Sequence, residues 1–190
     1  MSQAASHGGN GSSGLAGRLG MWIFLFADAM MFAALVSTYA MLRALATPWP
    51  TAQGRLNLPL TGVFTFVLIC SSVTMVLSLD GACSGRPDRA RRFLLLTMLG
   101  GAGFLGFQTY EWQHFLAHGV GPRTDLFYAC FFALTGFHGF HVLTGLGVLG
   151  WLATRRPGDS GYADLVECCA LYWHFVDLVW IILFTGIYLL

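Results

Sequence analysis

Apolar residues dominate this chain in five long runs that are separated by short polar segments. About 20 apolar residues in a helix are enough to cross the hydrocarbon core of a bilayer. Because backbone groups in lipid must be hydrogen-bonded within their own segment, runs of this length predict helices and not strands. The runs cover residues 19–42, 58–79, 93–112, 126–153 and 165–190. The sequence therefore predicts an all-α fold, an integral membrane bundle of five transmembrane helices.

The segments between and before these runs are too short for a soluble domain. The first 14 residues are rich in Gly and Ser, and such a composition buries too little apolar surface to order itself. They also lack the charged start and the cleavage site of a signal peptide. Proline and glycine in each connection mark turns. We therefore predict a disordered cytoplasmic tail at residues 1–14 and a single five-helix domain at residues 15–190.

Arginine placement predicts the orientation of the bundle. Only 10% of the residues are charged, and all ten basic residues are arginine. Seven arginines lie on the side of the N-terminus: Arg18, Arg86, Arg89, Arg91, Arg92, Arg155 and Arg156. The opposite side has three, namely Arg43, Arg55 and Arg123. Cytoplasmic loops carry the excess of arginine, so we expect the N-terminus in the cytoplasm and the C-terminus outside.

Seven ionisable residues lie within or at the ends of the apolar runs, where charge is expensive and usually functional or paired. They are Asp28, Glu111, His138, His141, Glu167, His174 and Asp177. With a rise of 1.5 Å per residue, Asp28 and His174 lie about 14 Å from the cytoplasmic helix ends. His141 and Asp177 lie about 18 Å from those ends. We therefore expect one central polar layer, in which His174 is at the depth of Asp28.

Two further features of the polar set follow from helical spacing. His138 and His141 share a helical face, as do His174 and Asp177, because each pair is three residues apart. Glu167 lies on the stripe of His174 at the cytoplasmic end of its run. Near the outer surface, Gln108 and Glu111 form a second polar pair on one face of the third helix.

Three interpretations of the buried polar residues are open from the residues alone. The first is a set of structural hydrogen bonds between helices. The second is a proton path or proton-linked switch, whose usual components are carboxylates and histidines at depth. The third is a metal or haem site, suggested by the H-x-x-H spacing of His138 and His141 but lacking the rest of a ligand set. A stand-alone proton-linked carrier is also an alternative, although no inverted repeat or broken helix supports it.

Several of these polar residues lie in long motifs that resemble subunit III of the haem-copper terminal oxidases. The segment "YWHFVDLVWIILF", residues 172–184, is similar to the family's last helix, and "FFALTGFHGFHVLTG", residues 131–145, to the helix before it. The first span, "LGMWIFLFADAMMF", resembles the helix with a buried carboxylate, which places Asp28 there. "FQTYEW" matches the family's Gln/Glu-x-x-Glu-aromatic pattern at Gln108 and Glu111, and Glu167 matches a family glutamate. The resemblance extends from Leu19 to Leu190.

The resemblance implies a non-catalytic subunit in a bacterial inner membrane. Its expected partners are subunit I, the other oxidase subunits and membrane lipids, with no nucleic acid. Haem and copper are expected in the partner subunits and none in this chain, whereas phospholipid is expected in a cleft. Such a subunit supports proton uptake and the lifetime of the active site. The chain resembles the five-helix bacterial form, without the first two helices of longer members.

Two points stay open within the resemblance. The small subunit associated with nitric oxide reductases is a related alternative, and the electron donor is either quinol or cytochrome c. One departure from the family pattern is Phe64, where relatives often have a polar residue. Because of this departure, we do not expect a polar contact from the second span to the buried network.

Overall fold

Five long helices make up the structure, a computed structural model that describes residues 9–46, 49, 56–156, 159 and 161–189, with side chains from residue 15 onward. They are α1 (Gly9–Leu45), α2 (Leu58–Cys83), α3 (Pro87–Ala117), α4 (Leu126–Thr154) and α5 (Tyr162–Phe184). A short π-helical segment, Thr185–Leu189, continues α5. All five are long and apolar enough to cross a membrane, and no strand occurs in the described residues. The predicted all-α bundle of five membrane helices is therefore confirmed.

Local sequence signals define the ends of these helices. The Asn57 side chain accepts a hydrogen bond from the Leu60 N–H at 3.4 Å, and the Asp125 side chain accepts one from the Tyr128 N–H at 2.9 Å. Such caps satisfy N–H groups that have no partner inside the helix. Gly85, with φ of 65°, allows the tight turn between α2 and α3.

The helices extend further than the apolar runs at several ends, and the two largest extensions are at the starts of α3 and α1. α3 begins at Pro87, six residues before the predicted span, with proline at the start of the helix and Asp88 in its first turn, both of which favour a helix start. α1 begins at Gly9, inside the segment for which the sequence predicts a disordered tail. The helix therefore extends N-terminal to the apolar span, through residues that are rich in Gly and Ser. The rest of the predicted tail, residues 1–8, lies outside the described residues.

α5 lies in the middle of the bundle and packs against α1, α2 and α4. α2 and α3 form a closely packed antiparallel hairpin, and α3 also contacts α4. α1 lies at the edge, where it contacts α5 and, less extensively, α4. This order leaves most of α1 uncovered by the rest of the chain, with large apolar side chains such as Ile23 and Phe26 exposed at 72% and 69%.

Glycine permits the closest helix contacts, as is common for membrane helices. A Cβ at Gly81 of α2 would lie 2.6 Å from the backbone nitrogen of Ala90 on α3. A Cβ at Gly101 of α3 would lie 2.4 Å from the Trp173 ring of α5. In contrast, a Cβ at Gly103 would meet nothing within 4 Å. Close helix packing therefore requires glycine at position 101 of α3 but not at position 103.

The orientation of the bundle is a prediction that reporter fusions test directly. We expect a reporter that is active only in the cytoplasm to be active at the N-terminus, and one that is active only outside to be active at the C-terminus. The physical reason is the division of arginines, seven against three, between the two sides. An exported N-terminus would contradict the prediction.

Candidate functional site

Asp28 and His141 meet between α1 and α4. The His141 Nε2 lies 3.4 Å from the Asp28 Oδ2, within ion-pair distance, and both residues are buried, with 6% and 7% of their surface exposed. The other ring nitrogen of His141, Nδ1, is 2.8 Å from the Phe137 carbonyl oxygen of its own helix. One ring nitrogen of this histidine therefore contacts its own helix at hydrogen-bond distance, while the other faces Asp28 at ion-pair distance without a hydrogen bond.

The partner of Asp28 differs from the sequence expectation. Equal depth suggested His174, but the structure places His141 beside the carboxyl group. Depth along a helix is only one of two coordinates, and the rotation of α1 about its axis decides which neighbouring helix Asp28 faces. The ring of Phe32, 5.0 Å from the His141 ring between centroids, covers the same contact.

A groove beside this pair opens toward the membrane. It has a volume of about 360 Å³, and its walls include Phe24 and Asp28 of α1, His141 and Thr144 of α4, and Tyr172 of α5. The Tyr172 hydroxyl donates to the His141 carbonyl oxygen at 3.0 Å and lies 2.8 Å from the Thr144 hydroxyl. Asp28 is thus a buried carboxyl at the edge of a largely apolar groove.

A second polar contact joins α2 and α5. The Ser72 hydroxyl donates to Asp177 Oδ2 and lies 3.0 Å from His174 Nδ1. The expectation that the second span contributes no polar contact to this group is therefore wrong. Phe64 does lack a polar side chain, and its ring stacks on Phe107 at 4.4 Å. Ser72 takes the polar role two turns further along, and a serine pair inside an apolar run was the signal in the sequence.

His138 is separate from both contacts. It is fully buried, and neither ring nitrogen has a hydrogen-bond partner among the described residues. Its ring packs against Trp180 at 4.9 Å and Phe104 at 5.7 Å between centroids. Thus His138 faces α3 and α5 whereas His141 faces α1, although the two are neighbours on one helix. Their ring nitrogens do not converge on one point.

Glu167 lies in the second turn of α5, at the end of the bundle predicted to be cytoplasmic, and its partner is Arg18 of α1. The Arg18 guanidinium is 2.8 Å from the Glu167 carboxyl and 3.0 Å from that of Asp164. These side chains are one-third to nearly one-half exposed. Glu167 therefore belongs to an exposed clamp between α1 and α5 and not to the buried layer. In the sequence, Arg18 indicates only the orientation of the bundle, and nothing near it predicts its contact with the distant Glu167.

Gln108 and Glu111 share a face of α3 as predicted, but each contacts a different element. The Gln108 amide donates to the Thr135 carbonyl oxygen of α4 at 2.5 Å. The Tyr188 hydroxyl, from the segment after α5, donates to Glu111 Oε2 at 2.9 Å. Both residues of the pair are only 6% exposed. Tyr188 was not foreseen, because nothing in its local sequence distinguishes it from an interfacial tyrosine.

The predicted polar residues thus form separate contacts and not one continuous layer. Each polar contact connects two elements of the bundle: α1 to α4, α2 to α5, α1 to α5, α3 to α4, and α3 to the segment after α5. His138 contacts its neighbours only through the faces and edges of aromatic rings. Within the described residues, no group of three His, Cys, Asp or Glu side chains is placed to hold a metal ion.

These features define a class: a multi-pass membrane protein whose buried polar groups join helices in pairs. The family model for cytochrome c oxidase subunit III matches residues 2–190. The chain therefore belongs to the cytochrome c oxidase subunit III family, and the resemblance seen in its motifs is confirmed. It functions as subunit III of a haem-copper terminal oxidase, in a complex with other oxidase subunits.

Relatives with different electron donors in their names are similarly close. Cytochrome bo(3) ubiquinol oxidase subunit 3 of Pseudomonas putida is 35% identical over 175 residues, covering 90% of this chain and 84% of the relative. Cytochrome c oxidase subunit 3 of Thermostichus vulcanus is 39% identical over 179 residues, covering 90% and 86%. Quinol oxidase subunit 3 of Bacillus subtilis is 34% identical over 178 residues, with the same coverage. Neither the carrier nor the nitric oxide reductase alternative is favoured.

Proposed function

We propose that this chain is the non-catalytic subunit III of an oxidase in a bacterial inner membrane and that it packs against the catalytic subunit I. The observation that carries the proposal is the way its buried ionisable side chains are used. Asp28, Glu111, His141 and His174 each contact another helix or segment of the same chain. These side chains stabilise the packing of the chain itself. We therefore assign the redox chemistry to the partner subunits.

Haem and copper do not fit the histidines of this bundle. Both ring nitrogens of His141 already face protein atoms, and the ring of His138 is enclosed by Trp180 of α5 and Phe104 of α3. A haem or copper centre needs ligand atoms that converge on one point. The divergence of these histidines supports the proposal that haem and copper belong to partner subunits.

Phospholipid is the ligand that the α1 side of the bundle suits. A groove of about 430 Å³ lies between α1 and α5, with Trp22 and Phe26 on one side and Leu171 and Leu178 on the other. The groove beside Asp28 lies on another side of the same helix. Their apolar walls fit acyl chains, and in the membrane such grooves are filled by lipid or by a neighbouring subunit.

Support of proton uptake and of the active site's lifetime is the proposed role within the complex. We expect an oxidase complex depleted of this chain to begin turnover near the normal rate but to inactivate after fewer turnovers. The measurement is oxygen consumption followed until the activity stops, at matched haem concentration. Adding the purified chain back should restore the lifetime, while a complex that lasts equally long without the chain would contradict this role.

A further inference from the structure

Arginine side chains line a cavity at the turn between α2 and α3, on the side of the membrane predicted to be cytoplasmic. The cavity has a volume of about 720 Å³, and Arg86, Arg89 and Arg92 form part of its wall. Arg86 and Arg92 are exposed, and neither forms an ion pair with another described residue. These two guanidinium groups are available to an anion.

Two carboxylates near the cavity reduce the positive charge of its arginines but do not neutralise it. Arg89 is paired with Asp80, at 3.3 Å between Nη2 and Oδ2, so its charge is partly used within the chain. Asp88 also lies on the cavity wall. Three arginines against two carboxylates leave an excess of positive charge, which favours an anionic ligand over a zwitterionic one.

The lower wall of the cavity is apolar. Phe93, which directly follows Arg92, and Leu96, one turn further along α3, lie on it, and Leu96 is 49% exposed. Four residues of helix separate Arg92 from Leu96 by about 6 Å along the axis. The cavity is therefore cationic at the water side and apolar at the lipid side.

We propose that this cavity binds the phosphodiester group of an anionic phospholipid of the cytoplasmic leaflet. The guanidinium groups of Arg86 and Arg92 donate hydrogen bonds to the phosphate oxygens, for which their fork geometry is suited. Phe93 and Leu96 contact the upper part of an acyl chain. The site lies on the turn after α2 and the first turns of α3, apart from the apolar grooves of α1. It depends on the membrane orientation and not on the role within the oxidase.

Native mass spectrometry of the complex purified through this chain tests the site, with dioleoylphosphatidylglycerol as the titrated lipid. The test variant is Arg86→Gln/Arg92→Gln. The matched control is Arg155→Gln/Arg156→Gln, which removes the same charge on the same side of the membrane at another loop. Each arginine near an anionic surface adds to the affinity for an anionic lipid. The test variant should therefore bind the lipid about thirtyfold more weakly than the parent, and the affinity of the control should be within about threefold of the parent's.

Two further arms identify the ligand. Dioleoylphosphatidylcholine should not compete for the site, and neither should inorganic phosphate, because it lacks the acyl chain that contacts Leu96. Arg86→Lys/Arg92→Lys keeps the charge but not the forked guanidinium, so it should bind the lipid more weakly than the parent and more tightly than the glutamine variant. If the glutamine variant does not assemble, unchanged binding in the lysine variant would overturn the proposal. Equal loss in both glutamine variants, unchanged binding in the test variant, or displacement by inorganic phosphate would each overturn the proposal.

Discussion

Replacing Asp28 with leucine is expected to weaken the attachment of α1 to the bundle, whereas replacing it with asparagine is expected to preserve it. Leucine leaves the buried His141 Nε2 without its polar neighbour at 3.4 Å, and an unpaired buried polar group costs about 1–3 kcal/mol. α1 has few other attachments, since it lies at the edge of the bundle, where it contacts mainly α5 and, less extensively, α4. The asparagine amide can still donate or accept a hydrogen bond at the same place.

Thermal dissociation of the chain from the purified complex measures this effect. Asp28→Leu should dissociate at a lower temperature than the parent, and Asp28→Asn close to it. The double variant Asp28→Leu/His141→Leu should recover part of the loss, because neither polar group is then left alone. Wild-type stability of the single leucine variant would exclude a packing role for Asp28. Normal assembly of Asp28→Asn with slower turnover would favour the proton-linked interpretation.

Replacing Gly101 with alanine is expected to destabilise the bundle by about 1–3 kcal/mol, the usual cost of overpacking a core. Its Cβ would lie 2.4 Å from the Trp173 ring, and that tryptophan is only 1% exposed. The ring cannot move freely, because its Nε1–H donates to the Ser71 hydroxyl at 3.0 Å. The shift that alanine demands would therefore break a buried hydrogen bond as well.

Gly103 of the same helix provides the matched control. A Cβ there meets nothing within 4 Å, so Gly103→Ala should be neutral or slightly stabilising, since alanine favours the helix. The melting temperatures of the two variants and the parent, measured in the same detergent, give the comparison. If both substitutions changed the melting temperature equally, that result would contradict the close contact between Gly101 and the Trp173 ring.

The fold was largely predictable because membrane spans have a simple physical signature. Long apolar runs gave the number and type of the helices, and lipid leaves no alternative for backbone hydrogen bonding. The ends were less predictable, as at α3, where charged arginines continue the helix beyond the hydrocarbon. Pro87 at the start of α3 and Asp88 in its first turn are a helix-start signal, which a prediction from apolar runs alone does not use.

The polar residues were identified correctly as a set, but their partners were not. Depth along a helix follows from counting residues, and it placed Asp28 near His174. Rotation and neighbour order depend on packing, which set Asp28 against His141 and brought Ser72 to His174. The serine pair in the apolar run of α2 indicates that a polar contact forms there, but its partners on α5 follow only from the packing of the two helices.

The composition of the complex purified through this chain tests the central claim most directly. The complex should be solubilised gently, and its visible spectrum, haem and copper content and subunit masses should be compared with those of the isolated, folded chain. We expect haem and copper in fixed proportion to a catalytic subunit I in the complex, and neither in the isolated chain. Stoichiometric haem or copper in the isolated chain, or a complex without a haem-copper subunit, would contradict the claim.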